Sequence, residues 1–171
     1  MRKRNALSFV AAVCALGLVA TAANAAQRTF TASLDGAQVF GGVATPGTGS
    51  ATLMFDDVTG DYTLTGTFQD LIGTTTNAHV HGPDPIGGDG AGVMFGITFD
   101  AGVTSGNISG AGTMSPTHLQ IVLDREAYIN IHTSHRPGGE IRGQLLPEPS
   151  SLGLLAVGSV ALLRRRRRRV G

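Results

Sequence analysis

The stretch Ser50-Ala51-Thr52-Leu53-Met54-Phe55-Asp56-Asp57-Val58-Thr59-Gly60-Asp61-Tyr62-Thr63-Leu64-Thr65-Gly66-Thr67-Phe68 decides the fold. Ala51, Leu53 and Phe55 fall on every second position, and Tyr62, Leu64 and Phe68 keep the same period after the break. A period of two sends alternate side chains to opposite faces of an extended chain, so each half reads as a half-buried strand. Asp56 to Asp61 between them is a run of turn-forming residues, which folds the two halves into a hairpin.

Working outward, the same period recurs on both sides. Phe30 to Leu34 precedes the hairpin, with Phe30, Ala32 and Leu34 on one face. After it come Asn77 to His81, Gly92 to Phe99, Asn107 to Met114, His118 to Asp124, Tyr128 to His132 and Glu140 to Leu145. Short strands at this spacing, with no convincing helix among them, predict an all-β domain, an antiparallel sandwich or barrel. Gly82 to Gly92 reads as a long Gly-rich loop, and Gly138-Gly139 as a positive-φ turn or bulge before the last strand.

Length and composition agree with one domain. The chain has 171 residues, 42% of them hydrophobic and 15% charged, with 25 Gly and no Trp, which excludes a collagen, a disordered tail and a helical bundle. The formal net charge of +1 hides an uneven distribution. Arg2, Lys3, Arg4 and the run Arg164 to Arg169 hold most of the basic residues, whereas residues 27–146 contain every acidic residue except Glu148 and only Arg28, Arg125, Arg136 and Arg142 as cations. An acidic body is a poor partner for nucleic acid.

The ends read as addresses. Arg2-Lys3-Arg4, the apolar run Ala6 to Ala20 and the small residues to Ala26 follow the order of a secretory signal, cleaved after Ala25 by signal peptidase. Cys14 lies inside that run, so the mature chain has no thiol or disulfide. The other end carries Pro147-Glu148-Pro149, an apolar segment to Leu163 and the six arginines. Prolines stop the preceding strand, an apolar helix enters the bilayer, and arginines stay on the cytoplasmic side. The segment Leu152 to Leu163 makes about 18 Å of helix against a hydrocarbon core of about 30 Å, so stable spanning needs snorkelling arginines or local thinning.

This tail resembles the PEP-CTERM sorting signal of bacterial exported proteins, which implies removal by an exosortase-type membrane protease. The body resembles the CHRD domain, a module named from chordin and also found in exported bacterial proteins. Two stretches carry that likeness: Asn77-Ala78-His79-Val80-His81-Gly82-Pro83, and Tyr128 to Leu145 with His132-Thr133 followed by Pro137-Gly138-Gly139-Glu140-Ile141-Arg142-Gly143-Gln144. The resemblance runs from Phe30 to Leu146 and implies an immunoglobulin-like β-barrel whose biochemical activity is unsettled. The expected organisation is a signal peptide (1–25), a CHRD-like domain (26–146) and a sorting tail (147–171).

The histidines are the chemistry-bearing residues. His79 and His81 share a strand face about 6.5–7 Å apart, opposite Ala78 and Val80, and His132 stands opposite Ile129 and Ile131. With His135 in the following loop, four imidazoles meet if the strands are neighbours, a donor set suited to copper or zinc. The alternative is that these histidines are surface residues or shape the loops. A His-x-His before a Gly-rich loop on a β-sandwich is also similar to copper-zinc superoxide dismutase, a likeness of fold and two histidines alone. Glu140 and Arg142 share a face and read as a surface ion pair, and His118 as a surface residue. Asp84 and Asp89 lack the alternating ligands of a calcium loop. No Gly-x-Ser-x-Gly elbow or phosphate cradle is present. The expectation is therefore a non-enzymatic binding or adhesion module without a required cofactor. It is exported, held briefly at the inner membrane and then at the cell surface or outside, with extracellular polysaccharide or matrix proteins as partners. The competing expectation is a copper or zinc protein, with a redox role, built on His79, His81, His132 and His135.

Overall fold

The structure, a computed structural model, describes residues 26–148. The leader up to Ala25 and the tail from Pro149, with the expected sorting helix, lie outside the described residues. In chain order the elements are β1 (Gln27–Asp35), β2 (Thr48–Asp56), β3 (Asp61–Gln69), β4 (Thr75–His81), β5 (Val93–Gly96), β6 (Thr98–Phe99), β7 (Gly106–Thr113), α1 (Pro116–Leu123), β8 (Tyr128–Thr133), β9 (Ile141–Gln144) and β10 (Leu146–Pro147). The hairpin expected from the sequence is β2–β3, with Leu53 opposite Leu64 and Phe55 opposite Tyr62.

The strands form one antiparallel sheet in the order β5-β4-β8-β9-β1-β2-β3-β7-β6, with β10 pairing β1 off that path. Its edge strands, β5 and β6, are separated only by Ile97, whose amide donates to the Ala78 carbonyl of β4 at 3.2 Å. The sheet thus curls nearly closed into a barrel, which leaves little free edge for pairing with other chains. Inward-facing residues fill it: Leu34, Leu53, Phe55, Leu64, Ile108, Val80, Ile129, Ile131 and Ile141 are all buried. Phe30 meets Phe55 edge to face, with centroids 5.3 Å apart. Such a contact adds about 0.5–1.5 kcal/mol to the burial itself.

Three strand assignments change. Residues His118 to Leu123 belong to a helix, α1, capped by Asp124, and not to a strand. Ser115 caps it, its side chain accepting from the His118 amide, and Pro116 stands in the first turn, where a missing N–H costs nothing. Leu119, Val122 and Leu123 then share one helical face against the barrel. The run Gly92 to Phe99 breaks into β5 and β6 at Ile97, and the last run ends at Gln144, because the Leu145 amide turns to the Ala127 carbonyl.

Candidate functional site

Alternation places Ala78, Val80, Ile129, Ile131 and Ile141 inside the barrel and sends His79, His81, Tyr128, Asn130, His132, Arg142 and Gln144 to its outer face. Elsewhere on the barrel, outward residues such as Met54, Thr63 and Thr65 are exposed. Here a polar layer is buried: Asp84, Tyr128, Asn130, His81, Arg142 and Gln144 are only 3% to 7% exposed. The Gly82–Gly92 loop causes this by folding back over the face.

Arg142 locks that loop. Its guanidinium pairs with Asp84 at 2.8 Å and lies 3.6 Å above the centroid of the Tyr128 ring. Gln144 Nε2 donates to the carbonyls of Asp84 and Arg125 at 2.9 and 2.8 Å. The expected surface ion pair between Glu140 and Arg142 is therefore absent, because each finds a buried partner on a different loop. Glu140 accepts from the hydroxyls of Thr45 and Thr133 and from the amides of Ile72 and Gly73. Burial raises its pKa, but these four donors outweigh burial and hold the carboxyl below its ordinary value. Of the expected turn or bulge, the structure has the positive-φ turn: Gly139 has φ +118°, and a Cβ there would collide with the Asn130 amide.

Three of the four expected imidazoles meet. His79, His81 and His132 have ring centroids 5.1 to 5.7 Å apart, and one nitrogen from each lies within 4.8 Å of the others. His79 Nδ1 is 3.3 Å from His132 Nε2. His81 stacks on Tyr128 and its Nδ1 is 3.0 Å from the Ala91 carbonyl, while His132 Nδ1 is 2.8 Å from that of Pro137. Burial is the main cause that lowers the pKa of both His79 and His81, and the neighbouring imidazoles add to it. His135 does not join them. β8 ends at Thr133, and the Ser134 amide bonds to the Thr74 carbonyl, so the chain turns away and leaves His135 exposed against Gly73. His118 is half-buried on α1, 6.1 Å from the Phe95 ring, and not a free surface residue.

Beside the cluster opens a cavity of about 360 Å³, lined by Val39, Phe40, Asp89, Tyr128, Asn130 and Arg136 among others. Sequence reasoning missed Asn130 and Tyr128. Their even spacing with His132 was the available signal, since the three share a face. Among the described residues two buried side-chain atoms lack a hydrogen-bond partner, His81 Nε2 and Asn130 Oδ1, and both lie on this face.

Comparison with known families places this barrel. The CHRD domain model matches residues 30–145, which takes in the barrel, its roofing loop and all three clustered histidines. The chain belongs to the CHRD domain family. Residues 146–168 match the PEP-CTERM protein-sorting motif, so this CHRD protein is marked for export to the cell surface or the extracellular space. No curated protein and no solved structure matches the chain. Among the described residues no helix is long and apolar enough to cross a membrane.

Proposed function

We propose that this CHRD protein loses its leader to signal peptidase and its tail to an exosortase-type protease, and then works at the cell surface or beyond it as a non-enzymatic binding module. Its binding surface is the roofed face of β4, β8 and β9. One observation carries this reading: His81 Nε2 and Asn130 Oδ1, the two unpartnered buried side-chain atoms among the described residues, stand on that same face. Buried polar atoms are nearly always hydrogen-bonded, and leaving one unpaired costs about 1–3 kcal/mol. Two orphans beside a cavity make a face whose bonding a ligand completes. Binding is favoured over acid–base chemistry because the buried Asp84 and Arg142 are paired with each other. Metal ions, extracellular polysaccharides and matrix proteins are the ligand classes that supply a Lewis acid or hydrogen-bond donors to these atoms.

The test is the melting temperature of the exported protein with zinc or copper ions and with polysaccharide or matrix protein from its host. At least one class raises it, and His79→Ala combined with Asn130→Ala removes the shift. A protein indifferent to every class, or still responsive after both substitutions, would overturn the assignment.

A further inference from the structure

The geometry points to a transition-metal centre in which His79, His81 and His132 hold one Zn(II) or Cu(II) ion and leave its fourth coordination position open to solvent. This names a ligand for the face described above and rests on the reading of that face as a binding surface.

The tautomers are the first support. A backbone carbonyl only accepts, so the ring nitrogens facing Ala91 and Pro137 carry the protons. His81 and His132 therefore both present an unprotonated Nε2 to the cluster. Donation of the remote N–H to a carbonyl is how metal-binding imidazoles are oriented and made more basic.

Distances are the second. Zinc–nitrogen bonds of 2.0–2.1 Å at tetrahedral angles place two ligand nitrogens about 3.3 Å apart. His79 Nδ1 and His132 Nε2 stand at 3.3 Å. All three donor atoms fall within 4.8 Å of one another, so small ring rotations bring the third into range.

The third support is the orphan. His79 and His132 can satisfy each other through one shared proton, which leaves His81 Nε2 alone, buried and without a partner. One ion accepts all three lone pairs together. The site is also preorganised: His79 and His81 flank the fully buried Val80, and His132 stands between the fully buried Ile131 and Thr133. All-nitrogen donation favours zinc and copper over calcium and magnesium, which take oxygen. His79 and His132 are half-buried, so the centre lies at the rim of the roofed layer and its remaining position faces water.

The experiment uses exported protein stripped with chelator, dialysed, and titrated separately with Zn(II) and Cu(II). The expected result is one equivalent bound, with a melting temperature that climbs as metal is added and returns on addition of EDTA. Co(II) in place of zinc should give the visible absorption of a four-coordinate nitrogen site. His79→Ala and His132→Ala, both at half-buried positions, should each lower affinity by more than the roughly 10–100-fold that loss of an outer partner costs. His118→Ala and His135→Ala should bind as the parent does. If His81→Ala fails to fold, the other two variants still decide the matter. Absence of binding by the parent, or undiminished binding in His79→Ala, would overturn the centre. A protein that ignores both metals yet gains stability from polysaccharide would remove the metal and leave the binding face standing.

Discussion

Glu140 shows how much one residue can hold together. It is fully buried, and its four donors come from three separate segments: Thr45 from the β1–β2 connection, Ile72 and Gly73 from the β3–β4 connection, and Thr133 from the end of β8. Glu140→Gln keeps the shape but presents an amide N–H₂ to groups that also donate, so it should lower stability by about 3 kcal/mol in urea unfolding. The pH dependence has a fixed sign. The folded-state pKa lies below the ordinary value, so the contribution is complete above about pH 4.3 and is lost as pH falls from there toward the lowered pKa. The parent should therefore lose stability on acidification through that window more steeply than Glu140→Gln. Equal slopes would mean that Glu140 is not the group responsible. Arg142 makes a comparable prediction without a titration: Arg142→Ala strands a buried Asp84 carboxylate and should cost about 3–5 kcal/mol, measured by the same unfolding.

Elements explain which parts of the chain could be read in advance. Period two in Ala51, Leu53, Phe55 and again in Tyr62, Leu64 is unambiguous, because both strands bury one face and wet the other. His79 and His81 were legible as a pair for the same reason. The joining of His132 to them depends on β4 lying beside β8, a pairing set by the barrel and not by either strand. His135 was misplaced because the turn after Thr133 has no periodic signal. Burial of Asp84, Arg142 and Gln144 was illegible as well, since a polar residue on an outward position looks exposed until a loop is known to cover it. In α1 the apolar residues Leu119, Ile121 and Leu123 alternate like a strand, and only Ser115-Pro116 marks the helix. That cap is testable. Ser115→Ala removes the acceptor for the His118 amide and should cost about 1 kcal/mol in denaturant unfolding. Ser115→Gly should cost less, and a loss as large as with Ala would point to some other role for the hydroxyl.

At the scale of the whole molecule, the barrel and its sorting address are continuous. The CHRD match ends at residue 145 and the PEP-CTERM match begins at 146. Leu146 pairs with Thr31 and Pro147 with Phe30, and the Glu148 amide donates to the Thr29 carbonyl at 3.2 Å. The start of the Pro-Glu-Pro box is thus annealed to β1, so the sorting motif begins within the sheet itself. A protein processed at both ends should begin near Ala26 and lack Leu152 to Gly171, while Leu146 to Glu148 stay on the barrel. Intact-mass measurement on protein from the native host checks both termini at once, and retention of either end would refute the processing scheme. In a host without the matching protease the tail should persist and keep the protein in the membrane fraction. Removal of the leader takes Cys14, the only cysteine, with it. The melting temperature of the mature domain should therefore be the same with and without reducing agent, since its stability comes from a nearly closed sheet and a locked polar layer and not from a disulfide.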